Sequence, residues 1–268
     1  LDDYLDGVRA AHSSDLIFIS YHVNWPQAND PYYLYNSAES NARRTFYGVS
    51  AVPFVAMNGA EVSGSQTTIG NALINAIGGF SALEISATGE YIEWNRAGNV
   101  TVTLDNTGTL SGSYVLRTAL IEENLYYMGT NGHPNHYATM RDMIPTANGV
   151  NVTLTPNTPT YVDLDFAVPE AIVQENALLV FFLQHPTNKS VVNAMQIAIP
   201  SLMPDCPNPP GDVGGDMVVN VQDIVQIVSV IIGTTSPEGC MIQAADLNDD
   251  ETINVQDVVM LVSMILGN

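Results

Sequence analysis

Apolar positions follow three different patterns along the chain. Up to about residue 79 the pattern is mixed. Residues 2–11 and 38–47 place apolar side chains at helical spacing, and Arg43 and Arg44 sit near the end of the second stretch, where cations suit the helix dipole. Residues 16–21 are a short run rich in strand formers and predict a buried strand. Residues 52–57 predict a strand opening at Pro53, followed by an Asn58-Gly59 hairpin turn. Residues 67–77 predict a closing helix stopped by Gly78 and Gly79.

From 81 to 200 short alternating runs recur at 83–87, 99–104, 114–121, 150–154, 160–166, 177–184 and 191–199. Turn signals separate them, among them Asn95 to Gly98, Asn106 to Gly108, Ala147 to Gly149 and Pro156-Asn157. Strands at this spacing predict an antiparallel β-sandwich. Residues 201–210 are rich in proline and predict a stiff linker.

The third pattern is an internal repeat. Asp212, Asp216, Asn220 and Asp223 recur 34 positions later as Asp246, Asp250, Asn254 and Asp257. Each set precedes an apolar helical stretch, 224–232 and 258–266, that ends at Gly233 or Gly267. A hard cation such as Ca2+ takes about six to eight oxygen ligands, and a loop of about twelve residues supplies them from positions 1, 3, 5, 7, 9 and 12. In the second loop these are Asp246, Asn248, Asp250, Thr252, Asn254 and Asp257. In the first they are Asp212, Asp216, Val218 through its carbonyl, Asn220 and Asp223; Gly214 at position 3 offers no side-chain oxygen, so the first Ca2+ site is expected to be weaker. Met217 and Glu251 stand at position 6, where a positive φ would cost a non-glycine residue about 1 kcal/mol.

Composition narrows the function. Hydrophobic residues make up 46% of the chain, enough for packed cores. Lys and Arg total 7 against 28 Asp and Glu, a formal net charge of −21. Phosphate contacts and anionic membrane surfaces need clustered cations, so nucleic-acid binding and membrane-surface docking are excluded as expectations. No apolar run is long enough for a membrane span. The chain begins at Leu1, so an upstream segment is expected to have been removed or to be missing. Cys206 and Cys240 match no zinc spacing and no CxxC; a single disulfide between them implies an oxidising compartment and would add roughly 3–4 kcal/mol in the chain-entropy picture. His133 and His136, with Glu122, Glu123 and Asp142 near in sequence, form a weak candidate metal constellation beside the alternative of a hydrogen-bonded loop. No GxSxG and no HExxH occurs.

The duplicated loop–helix, over about residues 211–268, resembles a type I dockerin, the cohesin-binding module of bacterial surface assemblies. That resemblance implies a partner surface beginning at loop positions 10 and 11, here Val221, Gln222, Val255 and Gln256, with Ser229 and Ser263 also matching. Residues 44–54 resemble the stretch around the cis-proline of thioredoxin-like folds, with Pro53 as the implied cis-proline. Residues 1–200 as a whole resemble secreted bacterial proteins related to a 28-kilodalton outer membrane protein, through Glu122 to Asn124, His133 to His136 and Met140 to Asp142. No cysteine precedes Cys206, so the thioredoxin-like part lacks its CxxC and can serve only as a scaffold on this sequence.

The expectation is thus a multidomain α+β protein. It comprises a truncated thioredoxin-like α/β domain (1–80), an antiparallel β-sandwich (81–200), a linker (201–210) and a small all-α dockerin-like calcium domain (211–268). The expected role is a secreted or outer-surface, non-catalytic, calcium-binding assembly protein. Its partner would be cohesin-like or another copy of the chain, forming an oligomer or filament. The alternatives are an extracellular thiol–disulfide oxidoreductase whose CxxC lies before Leu1, or a carbohydrate-binding accessory protein.

Overall fold

The structure is a computed structural model that describes all residues except 27, 80, 94, 95, 130, 131, 204, 205, 207 and 268. Asn95 of the expected turn and Pro204, Asp205 and Pro207 of the expected linker therefore lie outside the described residues. By contact the chain divides into two compact units, one of residues 1–89 and 99–202, the other of 90–98 and 203–268. The expected boundary after residue 80 falls inside the first unit.

The first unit opens with helix α1 (Asp2–Ala11), then α2 (Pro31–Tyr35) and α3 (Ser37–Tyr47), a two-rung hairpin β1 (Ala56–Met57) and β2 (Ala60–Glu61), and α4 (Gln66–Ala76). Strands follow: β3 (Leu83–Ile92), β4 (Ala97–Asn106), β5 (Gly112–Glu122), β6 (Leu125–Tyr126), β7 (Asn135–His136), β8 (Thr139–Ile144), β9 (Val150–Leu154), β10 (Thr160–Ala167), β11 (Ala177–Gln184) and β12 (Val191–Ala198). One sheet runs β12-β11-β5-β8 with β9 also paired to β5, and every pairing in it is antiparallel. A second sheet has the order β10-β4-β3.

Side-chain alternation explains the layers. In β10 every second residue is buried, which marks a strand with one wet face. In β5 and β11 nearly every residue is buried, so both faces of the central pair are covered. On one face Ala119, Ile121, Val180 and Phe182 pack with Met140, Met143 and the 17–21 segment. On the other, the register sets Leu179 opposite Leu120 and Leu183 opposite Leu116, all of them fully buried.

That covering role corrects one expectation. Residues 16–19 are extended but form no strand; a single parallel bridge joins Ser20 to Thr139. Phe18 packs against both the large-sheet cluster and the cluster of Val8, Ile69 and Leu73 from α1 and α4. The run is apolar because it lies between two cores, and apolarity alone does not require a ladder partner. The strand expected at 52–57 likewise shrinks to Ala56–Met57. Its turn is as expected: Asn58 and Gly59 have φ of 48° and 88°, the pair of left-handed values a two-residue type I′ turn needs. A Cβ on Gly59 would stand 1.7 Å from the carbonyl oxygen of Lys189, so only glycine fits there. The Val52–Pro53 peptide is cis.

Strand β8 was not foreseen, because Arg141 and Asp142 interrupt its apolar pattern. Pairing makes their burial tolerable: Arg141 Nε lies 3.2 Å from Glu122 Oε2, and its guanidinium stacks 3.8 Å from the Tyr35 ring centre. Arg117 and Arg43 are also buried, and neither has a carboxylate within ion-pair distance among the described residues. Instead both donate to Gln184 Oε1 and both face the Phe46 ring, with Arg43 also beside Tyr21, Tyr47 and Phe182. Burial, and then the neighbouring Arg43, bring the Arg117 guanidinium down to about 10.

Glu39 carries a pH prediction. Its Oε2 accepts hydrogen bonds from Asn36 Nδ2 and from the Met143 amide, each at 2.7 Å. Desolvation outweighs these bonds and, with Asp142 nearby, raises its pKa from 4.5 to about 6. A carboxyl raised in the folded state holds a proton that the unfolded chain has released, so stability falls as pH rises between those two values. Glu39→Gln keeps an acceptor and removes the charge. Thermal melts should show the variant more stable than the parent above about pH 6, with the gap closing below about pH 4.5; a gap independent of pH would contradict this.

The second unit contains the adjoining ends of β3 and β4 within residues 90–98, and α5 (Val221–Ile231), α6 (Cys240–Ala245) and α7 (Val255–Leu266). Its core repeats at the same 34-residue offset as the loops: Val213 with Leu247, Val219 with Ile253, Ile224 with Val258, Ile227 with Leu261, and Ile231 with Ile265. Helix α6, which the sequence pattern did not reveal, adds Met241 and Ala245 to that core. No helix among the described residues is long and apolar enough to cross a membrane.

Candidate metal centre

The two loops share most of one hydrogen-bond plan and part at the last carboxylate, where Asp223 Oδ1 accepts from the Gly214 amide at 2.8 Å and Asp257 Oδ1 from the Leu247 amide at 2.9 Å, one position earlier in its repeat. In the first, Asp212 Oδ1 and Oδ2 accept from the amides of Asp216 (3.1 Å) and Met217 (2.9 Å). In the second, Asp246 Oδ1 and Oδ2 accept from Asp250 (3.2 Å) and Glu251 (2.9 Å). Asp216 and Asp250 each accept from the amide two residues on, that of Val218 and of Thr252. The helices then start alike. Asn220 and Asn254 cap α5 and α7, and Asp223 and Asp257 complete capping boxes by accepting from the asparagine amides at 2.8 Å in both cases. A carboxylate in the first turn of a helix also faces the positive end of its dipole.

Position 6 is left-handed in both loops, with φ of 66° at Met217 and 63° at Glu251. Met217→Gly and Glu251→Gly relieve that backbone cost and should each stabilise the second unit by up to about 1 kcal/mol. Urea unfolding in calcium buffer checks this; a loss of stability in both variants would count against it.

The donor chemistry fits a hard cation. Asp212, Asp223 and Asp257 are fully or almost fully buried, at 0%, 1% and 0% exposure. Residues 201–268 contain ten Asp or Glu and no Lys, Arg or His, and among the described residues no basic side chain lies within ion-pair distance of Asp212, Asp223 or Asp257. A buried anion without a countercharge is costly, and a bound cation supplies one. No group of three or more His, Cys, Asp and Glu side chains placed to hold a metal occurs among the described residues. The remaining oxygens of these loops come from Asn, Thr and backbone carbonyls. Gly214 adds a cradle: a Cβ there would meet Gln226 Nε2 at 2.9 Å and Asp223 Oδ1 at 3.3 Å.

The expected histidine constellation is not assembled. His133 lies between Asp3 and Asp6 of α1, at 2.9 and 3.0 Å. His136 donates through Nε2 to the Tyr127 carbonyl at 2.9 Å, and burial, chiefly, lowers its pKa. Glu122 pairs with Arg141, Glu123 with Arg9, and Asp142 sits by Glu39. Each potential ligand is thus engaged by a different structural partner.

Cys206 and Cys240 form a disulfide that spans 34 residues, with Cα atoms 5.1 Å apart.

Helices α5 and α7, with the α5 C-cap Ile232, also present matching exposed apolar residues. Val221 and Val255 are each 64% exposed, Val225 and Val259 65% and 58%, and Ile232 and Leu266 66% and 67%. Gln222 and Gln256 lie beside the first pair and are exposed as well. Ser229 and Ser263 bond back to the carbonyls of Val225 and Val259, at 2.8 and 3.0 Å.

Comparison with known families shows that the model described as outer membrane protein Omp28 matches residues 40–201, more than half of the chain. The chain belongs to the Omp28 family. Its C-terminal residues 210–266 match the type I dockerin domain, a calcium-binding module, and this match supports a part in protein–protein assembly. Both matches point to an extracellular or cell-surface location. No curated protein matches this Omp28 chain. Among solved structures, a domain of the outer membrane lipoprotein Omp28 from Porphyromonas gingivalis is 18% identical, with a TM-score of 0.33, and the match covers 45% of this chain and 90% of that one. A calcium-binding mutant of Bacteroides uniformis β-glucuronidase 2 and a Listeria innocua β-glucosidase in complex with isofagomine overlap 43% and 44% of this chain but only 12% and 16% of their own. Their identities are 11% and 14% and their TM-scores 0.26 and 0.24, and no activity is argued from them.

Proposed function

We propose that this Omp28-family chain is a secreted, non-catalytic assembly protein whose dockerin tail docks on a cohesin-type partner when its two loops hold Ca2+. In this reading Asp212, Asp216, Asn220 and Asp223, with the Val218 carbonyl, hold one ion. Asp246, Asn248, Asp250, Asn254 and Asp257, with the Thr252 carbonyl, hold the other. The cation supplies the countercharge that fixes each loop and so sets the start of α5 and α7. The observation that carries the reading is the repeat of both loop and surface: Asp, Asp, Asn and Asp at loop positions 1, 5, 9 and 12 sit before the same exposed Val221/Val255 and Val225/Val259 faces. Apolar side chains at this helical spacing, flanked by Gln222, Gln256, Ser229 and Ser263, suit an apolar partner surface with polar edges.

The N-terminal region serves as scaffold in the same reading. The order helix, extended segment, helix, hairpin, helix over residues 2–76 supports a thioredoxin-like ancestry, and the two sheets support a sandwich.

Sedimentation velocity tests the proposal, on the chain alone and mixed with a bacterial cohesin module, in calcium and in EGTA. Association with the cohesin in calcium only is expected. The double variant Val225→Asp/Val259→Asp should weaken it at least tenfold, because each charge would have to be desolvated at the interface. Self-association in place of cohesin binding would make a second copy the partner. Absence of any calcium-dependent association would sink the proposal.

A further inference from the structure

The two loops differ at one ligand position, and the structure shows a second difference beside it. Position 3 is Asn248 in the second loop and Gly214 in the first. One helical turn beyond the last loop carboxylate, the residue is Met260 after Asp257 and Gln226 after Asp223. The repeat that lacks the side-chain oxygen at loop position 3 is therefore the repeat that has one at this helix position.

Geometry joins the two positions. The Gln226 side-chain amide reaches the space a side chain at Gly214 would enter, with Nε2 2.9 Å from an ideal Cβ and Asp223 Oδ1 3.3 Å from the same point. Gly214 has no left-handed φ, so its backbone does not demand glycine; the space beside it is what the side chain would dispute. In the second loop Asn248 stands at the corresponding position, with Nδ2 bonded to Asp250 Oδ2 at 2.8 Å and Gln256 Oε1 at 3.2 Å. Gln226 is half-buried on α5, whereas Met260 is 39% exposed.

We propose that Gln226 is the missing ligand of the first loop: its carboxamide oxygen takes the place of the position-3 side chain toward the calcium ion. A carboxamide offers a hard oxygen on one side and an N–H2 on the other, so rotation about the last side-chain bond exchanges the group facing the ion. The long glutamine side chain delivers from the helix what Asn248 delivers from the loop. The first site then has as many side-chain oxygens as the second, and the difference expected from Gly214 alone disappears. This inference rests on the calcium reading above.

The test is a calcium titration of the full chain followed by backbone amide resonances, with Gly215 reporting the first loop and Asp249 the second. In the parent both should move with calcium at similar concentrations. In Gln226→Ala the Gly215 transition should shift to about tenfold higher calcium, the equivalent of one lost ligand at about 1.4 kcal/mol, while Asp249 is unchanged. Met260→Ala should move neither. Gly214→Asn/Gln226→Met, which copies the second repeat into the first, should bring the Gly215 transition back to the parent value. Should Gln226→Ala leave the Gly215 transition where it was, the assignment of Gln226 is overturned while calcium binding stands. Should neither resonance respond to calcium in the parent, the calcium reading itself falls and the assignment with it.

Discussion

Chelation of calcium is expected to unfold α5 and α7 while leaving the sheets of the first unit intact. Each ion held at about 100 times its dissociation constant would contribute about 2.7 kcal/mol, so the two sites proposed above would contribute about 5 kcal/mol. That is comparable with the whole stability of a small domain. The loops make so large an effect reasonable. Asp212, Asp223 and Asp257 are buried and have no ion-pair partner among the described residues, so removing the cation would leave carboxylates with N–H donors and no countercharge there. The core offers little reserve, because half of it comes from residues on or next to the loops, such as Val213, Val219, Leu247 and Ile253. Hydrogen exchange in EGTA should show loss of protection across α5 and α7 and none across β5 and β11. Equal protection of the two helices with and without calcium would be the contrary result.

Cleavage of the disulfide is the second large effect. The bond ties Cys206, ahead of the first loop, to Cys240 at the start of α6, closing 34 residues that include the whole first loop and α5. Releasing a loop of this size costs roughly 3–4 kcal/mol in the chain-entropy picture. Cys206→Ser/Cys240→Ser should therefore lower the urea midpoint of the second unit and leave that of the first unchanged. It should also raise the calcium needed to fold the first loop, since the two contributions act on the same segment. With calcium removed and the bond cut, two of the largest contributions to the second unit are gone, and its helical signal should vanish at room temperature. A second unit that keeps its midpoint after the double substitution would show that the bond only decorates a module held together by other means.

The histidine and arginine positions show where one-dimensional reading stops. His133 and His136 lie three residues apart near several acids, yet the fold gives one to Asp3 and Asp6 and the other to a carbonyl. Asp3 and Asp6 are some 130 positions away in the chain, and no local pattern links them to the histidines. No local pattern marks strand β8 for the same reason: its Arg141 is neutralised by Glu122 of β5, and its ring partner Tyr35 comes from α2. Residues 16–19 show the opposite failure. Their composition is that of a strand, but two separate cores claim their side chains, and the chain lies between them without a ladder.

By itself the sequence determined the features that recur or depend on near neighbours. These are the duplicated loops, the capped helices that follow them, the Asn58-Gly59 turn and most of the strands, because periodicity, capping and turn geometry are set within a few residues. Only the tertiary structure decided which apolar run becomes a strand and which a covering layer, which charges can be buried, and that Gln226 stands at Gly214. Those outcomes depend on what lies across the space between elements, and distant parts of the chain supply it.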